Sequence, residues 1–391
     1  MTNAPGRRIG ILTGGGDVPG LNAAIKAFVG RMDEAGCEVL GLRRGWASLL
    51  HLDTASGADE SEWVRPLTRA GTRTIDRSGG TVLHTSRINP ALVKAEAVPE
   101  RLRARAGPPD AAGRHDLTAV AVEAIHHLAL DVVVAVGGDG TLSFARRLHD
   151  EGVAVVGIPK TMDNDVAGTD YCIGFSTAVT RSVNFVNDLR TTAGSHERFL
   201  VVELFGRYSG ETCLLTAYLA ATDRAVIAEV PFEPERLAEL LVGDRRANPS
   251  SYAVVAISEG ARPVGQGTFE SGEADSVGQR KLGGVGAYLR DLLQHRTGTG
   301  VIYQQLGYLM RSGLPDSLDL LVAKNFGSLA ADLALGGETG RLVAIVGGRY
   351  TSVPIEAVGE GARRVDVDRF YDRDRYRPKI VDVGGLPMFL H

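Results

Sequence analysis

The sequence predicts an α/β protein of two doubly wound parallel-sheet domains, with the functional site in the cleft between them. Three observations carry that reading. A chain of 391 residues is too long for one small core, so two domains are expected. Apolar runs of strand length alternate with amphipathic helical stretches, which is the rhythm of βαβ units. Three of those runs end in loops of glycine and aspartate. Residues 9–12 lead into Thr13-Gly14-Gly15-Gly16-Asp17, and 132–136 into Gly137-Gly138-Asp139-Gly140-Thr141. Residues 153–158 lead into Pro159-Lys160-Thr161-Met162-Asp163-Asn164-Asp165. Ligands in open α/β sheets bind beyond the carboxyl ends of strands, so three such loops point to one cleft.

Taken in order, residues 7–13 read as a buried strand. Pro19 suits the first turn of a helix, where its missing N–H costs nothing. Leu21, Ala24, Ile25, Phe28, Val29 and Met32 then fall on one helical face. Residues 38–42 read as a second strand, and 46–69 as mixed structure with an acidic patch at 59–62. Residues 79–87 read as a further strand-to-loop passage, and the Gly-Pro-Pro stretch at 104–114 as a surface loop. Asp116 can cap a helix over 117–130. Strand 132–136, helix 142–148 and strand 153–158 follow. Residues 176–189 are amphipathic through Val179, Val183, Phe185, Val186 and Leu189. After a strand at 198–203, Gly206-Arg207-Tyr208-Ser209-Gly210 opens a helix reaching 221. Residues 225–230 and 252–257 read as strands, 282–293 and 317–335 as helices, and 342–346 as a late strand. Residues 262–280 hold six glycines or serines and no apolar period, and read as a mobile loop. Residues 363–377 are densely charged and read as a solvated tail.

Composition removes several function classes. Hydrophobic content of 44% and charged content of 23% are ordinary for a globular protein. The formal net charge of −4 offers no basic field to nucleic acid. Cys37, Cys172 and Cys213 lie far apart without Cys-x-x-Cys spacing, and read as core fillers in a reducing compartment with no structural metal. No stretch resembles a signal peptide, and none reaches the roughly 18–20 apolar residues of a membrane span. The expectation is a cytoplasmic protein with small-molecule partners.

The loops suit phosphoryl transfer. That chemistry needs positioned phosphates, neutralised charge, a metal ion and a group to take the acceptor's proton. Gly-rich turns expose backbone N–H groups to phosphate oxygens, and a following helix adds its dipole. Asp139 is a hard oxygen ligand suited to Mg²⁺. Asp163 or Asp165 can act as general base. Read singly, each loop could be a turn or a helix cap. Their joint order gives the reading its weight. His126, His127 and His196 read as structural or solvated.

That order resembles the phosphofructokinase family over roughly residues 8–335. The resemblance is carried by 14–22 (Gly-Gly-Gly-Asp-Val-Pro-Gly-Leu-Asn), Thr85-Ser86-Arg87, 137–141, 159–165, Gly168-Thr169-Asp170-Tyr171, Gly174-Phe175-Ser176-Thr177-Ala178, 206–210 and Ile257-Ser258-Glu259. It implies Asp163 as base with Asp165 beside it, Thr161 on the transferring phosphate, and Arg207 stabilising transition-state charge. It implies Asp139 on Mg²⁺, and Gly15, Arg87, Gly138, Gly140, Thr141 and Lys160 around the donor. Glu259, Phe205, Gly206, Tyr308 and Arg311 would hold the acceptor, with Arg198 reaching in from a neighbouring subunit of a homodimer or homotetramer. The implied domains are a donor domain over 1–160 plus about 312–360, an acceptor domain over 161–311, and a C-terminal extension over 361–391.

The implied activity is ATP-dependent phosphorylation of a sugar phosphate, with fructose 6-phosphate leading. Pyrophosphate-using relatives carry a second Asp after Gly-Gly-Asp, where this chain has Gly140, which leaves room for the α-phosphate of ATP. Lys160 in turn resembles the pyrophosphate users and some ATP users, so the pair is mixed and Gly140 tips it towards ATP. The acceptor pocket departs further. Ile302 falls where an arginine usually reaches the sugar phosphate, Tyr308 replaces a histidine, and Phe205 replaces a methionine. Arg296 could substitute for the missing arginine. The alternatives are a pyrophosphate donor, another sugar, sugar phosphate or cyclitol as acceptor, and a non-catalytic regulatory subunit.

Overall fold

Runs of β-branched residues make the central strands. The run Val-Val-Val-Ala-Val-Gly at Val132–Gly137 is buried on both faces, as a strand inside a helix-covered parallel sheet must be. The computed structural model describes residues 6–55, 57–272, 280–381 and 383–390. Within them the strands are β1 (Arg8–Thr13), β2 (Glu38–Leu42), β3 (Val64–Leu67), β4 (Val93–Lys94), β5 (Arg114–His115), β6 (Val132–Gly137), β7 (Val155–Pro159) and β8 (Phe199–Leu204). They continue as β9 (Arg224–Val226), β10 (Ala253–Ser258), β11 (Glu270–Ser271), β12 (Lys281–Leu282), β13 (Val301–Gln305), β14 (Arg341–Val346), β15 (Arg349–Pro354), β16 (Tyr371–Asp372) and β17 (Arg377–Pro378). The helices are α1 (Leu21–Glu34), α2 (Ala47–His51), α3 (Thr118–His127), α4 (Asp139–Asp150) and α5 (Phe175–Ser195). They continue as α6 (Glu211–Leu219), α7 (Pro234–Ala247), α8 (Val285–Thr297), α9 (Ser317–Gly336) and α10 (Val367–Phe370).

The larger sheet has the order β15-β14-β7-β6-β1-β2-β3. Its centre is parallel, but β3 and β15 run antiparallel at the two edges, where a purely parallel sheet was expected. The second sheet, β13-β8-β10-β9, is parallel throughout. Alternate residues of β6 serve the two faces of the larger sheet. Val132, Val134 and Val136 pack with Phe28 of α1 and Phe326 of α9, while Val133 and Ala135 pack with Leu142 and Phe144 of α4. Gly327 lets α9 lie against α1, because a Cβ there would strike the Ala24 backbone. β8 and β10 form the core of the second sheet with α6, α7 and α8.

Several elements differ from expectation. Residues 79–87 form no strand. There Thr13 and Thr81 share a hydroxyl hydrogen bond at 2.9 Å and the Thr85 hydroxyl donates to the Gly15 carbonyl, local bonds that compete with a ladder. α4 begins at Asp139, three residues earlier than expected, so the aspartate belongs to the helix. The strand expected over 225–230 shrinks to Arg224–Val226. α7, β13 and β15 were not foreseen: Gln304 and Gln305 hide β13, and β15 is an exposed edge. Of the loop expected over 262–280, residues 273–279 lie outside the described residues, and its flanks pair as β11 and β12. The solvated tail is a clear correction. Phe370, Tyr371 and Tyr376 are buried in the second core, because aromatic residues at these positions outweigh the flanking charges.

Candidate active site

The carboxyl ends of β1, β6 and β7 bring their three loops side by side. Gly14 N–H donates to the Val136 carbonyl at 2.9 Å, and Lys160 N–H to the Gly137 carbonyl at 2.9 Å, so each loop is pinned to the next strand. Gly14 and Gly137 leave a nook that the Thr141 side chain fills. Gly15 adopts a left-handed φ of 80°. At Gly16 the Arg311 guanidinium comes so close that a Cβ there would make it shift. Lys160 is buried, and its Nζ donates to the Gly16 carbonyl at 2.6 Å, which ties the third loop to the first. Burial first, and then the Arg311 charge, pull the Lys160 pKa down to about 8.

Asp139 stands at the N-terminus of α4, where the helix dipole favours an anion. Its side chain opens to the solvent of the cleft. Crowding by the cleft walls first, and the Asp165 carboxylate second, still push its pKa up to about 6. Across from it the acid loop turns sharply. Asn164 takes a left-handed φ of 53° and is fully buried, a strain held by three side-chain bonds. Its Nδ2 donates to the Asp170 carbonyl and to Glu211 Oε2, and its Oδ1 accepts from Cys172 N–H. The turn aims Asp163 and Asp165 at the same space. Asp163 accepts from the Arg207 backbone N–H, yet its Oδ1 is buried with no partner. Burial, and then the charge of Asp165, raise the Asp163 pKa. Asp165 is also raised by burial, against the Thr161 hydroxyl and the Lys160 charge.

The second sheet supplies the facing wall. Arg207 follows β8, and its Nη2 donates to the Arg280 carbonyl at 2.6 Å. Gly260 lies under it, where a Cβ would strike the Arg207 carbonyl. Phe205 and Tyr308 meet edge-to-face, 6.0 Å between ring centroids, and the Arg311 guanidinium lies 4.8 Å from the Tyr308 ring centre. Arg311 is buried. Its Nη1 donates to the Asp17 carbonyl at 3.0 Å, and its Nε has no partner.

The space so enclosed measures about 830 Å³. Of the residues expected at the site, Gly15, Arg87, Gly138, Asp139, Gly140, Thr141, Lys160, Thr161, Asp163, Asp165, Phe205, Arg207, Glu259, Tyr308 and Arg311 all line it. Gly206 does not: its φ of 137° and the nearby Ser209 carbonyl make it the turn residue before Arg207. Arg198 does not either. It precedes β8 at the opposite end of the strand from Phe205. Tyr208, Arg280, Leu282 and Gln305 line the cleft without having been singled out. Tyr208 stands inside the 206–210 motif, and Gln305 inside the stretch 304–311 that carries Tyr308 and Arg311. Arg280 and Leu282 had no signal, since the fold alone brings them there. Arg296 is committed elsewhere, paired with Glu235 and Glu239.

Comparisons with known proteins agree with this architecture. The phosphofructokinase family model matches residues 8–334. The chain is 36% identical over 369 residues to the pyrophosphate–fructose 6-phosphate 1-phosphotransferase of Amycolatopsis methanolica, covering 94% of this chain and 98% of that protein. It is also 36% identical over 354 residues to an ATP-dependent 6-phosphofructokinase of Chloroflexus aggregans, covering 90% of this chain and 91% of the other. Its fold matches a pyrophosphate-dependent phosphofructokinase of Nitrosospira multiformis with a TM-score of 0.75 at 14% identity, over 95% of this chain and 89% of that one. With matches over nearly its whole length, and with the loops of the family gathered around one cleft, this chain belongs to the phosphofructokinase family.

Proposed function

We propose that the chain transfers the γ-phosphoryl group of ATP to a sugar-phosphate hydroxyl, with fructose 6-phosphate as the leading acceptor. The observation that carries this reading is the Asp163 carboxyl. Asp163 lines the cleft beside Arg207 and the glycines of the neighbouring loops, and its Oδ1 has no hydrogen-bond partner. A general base needs a free lone pair for the acceptor's proton, and this carboxyl keeps one uncommitted. Asp163 takes the proton of the attacking hydroxyl. Thr161 contacts the phosphoryl in flight, and Arg207 stabilises the charge that grows on it. Gly15, Gly138, Thr141 and Arg87 hold the donor phosphates.

The residues fit a Mg²⁺ ion. After burial, the Asp165 carboxylate is what raises the Asp139 pKa, which marks a carboxylate that a cation would stabilise. Among the described residues no three acidic, His or Cys side chains converge on one point. Mg²⁺ needs no such cage, since it binds through one or two carboxylates plus substrate phosphates. Asp139 would hold it, and the bound ion would neutralise charge on the donor phosphates.

One feature of the donor wall supports ATP. A Cβ at Gly140 would meet nothing within 4 Å, so the space is open to a nucleotide. Lys160, which resembles both pyrophosphate users and some ATP users, gives one of its three N–H groups to the Gly16 carbonyl and does not decide the donor. A second reading concerns the acceptor. Ile302 lies in β13 with its side chain against the second core and brings no charge, and Arg296 does not replace it. This favours an acceptor whose phosphate is absent or held by other groups. Glu259 would then grip hydroxyls, while Arg311 and a partner subunit's Arg198 complete the pocket in a homodimer or homotetramer. No helix among the described residues is long and apolar enough to cross a membrane. The three free thiols suit the cytoplasm, where we place the protein.

The test is a turnover assay with Mg²⁺. ATP or pyrophosphate is offered against fructose 6-phosphate, sedoheptulose 7-phosphate, unphosphorylated sugars and cyclitols. ATP-dependent turnover of fructose 6-phosphate is expected. Turnover of an unphosphorylated acceptor alone would move the assignment to the second reading, and no turnover with any pair would sink the catalytic one.

A further inference from the structure

The family match ends at residue 334, yet the chain beyond it reaches back to the acid loop. Three backbone N–H groups of the last thirty residues make the connection. Arg363 N–H donates to the Asp165 carbonyl at 2.8 Å. Val365 N–H donates to Glu229 Oε1 at 3.0 Å, and the same carboxylate accepts from Gly210 N–H, closing the turn that carries Arg207. Leu390 N–H donates to Glu211 Oε1 at 2.8 Å, while the other oxygen of Glu211 accepts from Asn164 in the acid loop. Asp366 N–H donates to the Leu390 carbonyl, so the two ends of the segment clasp each other. The Phe389 ring packs 5.4 Å from Tyr171 and 5.8 Å from Phe175.

The Arg363 side chain is placed where charge matters. It is half-buried, in the electrostatic field of Cys172 and of the Glu211, Asp170 and Asp165 carboxylates. Its Nη1 is buried with no hydrogen-bond partner. A buried guanidinium is costly unless anions surround it, so this arrangement is stable only with the acid loop in place.

We propose that Arg363 is a positioning residue for phosphoryl transfer: its backbone and guanidinium, with the N–H groups of Val365 and Leu390, fix the acid loop and the Arg207 turn in one geometry. Arg363 does not line the cleft and touches no substrate. It acts through Asp163, Asp165 and Arg207, whose alignment tolerates little error; a displacement of about 1 Å can lower turnover on the order of 100-fold. This inference rests on the phosphoryl-transfer reading for its kinetic test.

The experiment compares the full chain with Arg363→Met, Arg363→Lys and, as a control, Leu241→Val in the core of α7. Arg363→Met keeps the backbone bond and removes the charge. Its kcat should fall on the order of 10- to 100-fold with both KM values within about twofold, and Arg363→Lys should recover part of the loss. Leu241→Val should lower the melting temperature and leave kcat unchanged. Arg363→Met with kcat within twofold of the parent, or a loss no larger than its melting temperature predicts from the control, overturns the proposal. If no acceptor is turned over by the parent chain, hydrogen–deuterium exchange decides. Faster exchange at 161–166 and 206–210 in Arg363→Met supports the positioning role, and unchanged exchange there rejects it.

Discussion

The two walls of the cleft are built from different materials. The wall proposed to hold the donor is rich in backbone: Gly15, Gly16, Gly138 and Gly140 line it, and behind them Gly14 and Gly137 leave the nook that Thr141 fills. The wall proposed to hold the acceptor is mainly side chains: Phe205, Tyr208, Tyr308, Gln305 and Arg280. A wall of backbone presents the same N–H groups whatever flanks it, and its shape depends on glycines that cannot be exchanged freely. A wall of side chains can be rebuilt one residue at a time. The chemistry of phosphoryl transfer therefore reads clearly from this chain, while the acceptor does not.

The largest effect should come from the acid loop that joins the two walls. Asp163→Asn keeps the shape and removes the proposed base. Turnover is expected to fall roughly 10²–10⁴-fold with little change in either KM. Rapid-quench measurement of the chemical step checks this; an unchanged chemical rate would assign the proton transfer elsewhere. On the donor wall, Gly140→Asp places a second carboxylate beside Asp139 in space that is open in the parent. It should lower kcat/KM for ATP by about 100-fold and spare pyrophosphate, whose binding needs no room for an α-phosphate. Equal losses with both donors would show that the carboxylate disturbs the metal and not the nucleotide.

On the acceptor wall, Ile302→Arg tests whether a missing cation explains any weakness towards fructose 6-phosphate. A charge-assisted hydrogen bond contributes about 1.5–3 kcal/mol, which corresponds to roughly 10- to 150-fold in kcat/KM. The gain should appear with fructose 6-phosphate and not with an unphosphorylated sugar. A uniform fall with all acceptors would mean that the position is structural, as its packing on the second core allows.

The same contrast explains what could be read in advance. The strands β1, β2 and β6 were legible because buried parallel strands are continuous apolar runs, and the glycine loops were legible because turns need their residue types. β13 was not, since its Gln305 serves the cleft and Glu203, and its Gln304 bonds the Gln305 carbonyl, instead of a core. The segment after residue 362 was misread because charge density suggested solvent. Its aromatic residues Phe370, Tyr371 and Tyr376 sit among those charges at no helical or strand period, and only the fold reveals that they are buried. Arg280 and Leu282 were invisible for a related reason: they enter the cleft through a long-range return of the chain that leaves no local pattern.

The smallest predicted effect is the one that bears most directly on the division into two walls. Arg311 belongs to both. Its Nη1 holds the Asp17 carbonyl of the donor wall, and its guanidinium lies over Tyr308 of the acceptor wall. The expectation from the family resemblance puts Arg311 on the acceptor's phosphate, whereas its strongest bond points to the donor loop. Tyr308→Ala removes the ring from the guanidinium and from Phe205, and leaves the Asp17 bond intact. A cation–π contact contributes about 0.5–1 kcal/mol at an exposed site, and an edge-to-face pair about 0.5–1.5 kcal/mol. The acceptor KM should therefore rise about three- to tenfold while the donor KM stays within twofold. If the donor KM rises instead, the ring's main service is to hold Arg311 against the Gly16–Asp17 turn. Arg311 would then be a donor-wall residue, and the acceptor's phosphate, if it has one, would depend on Arg198 from a neighbouring subunit.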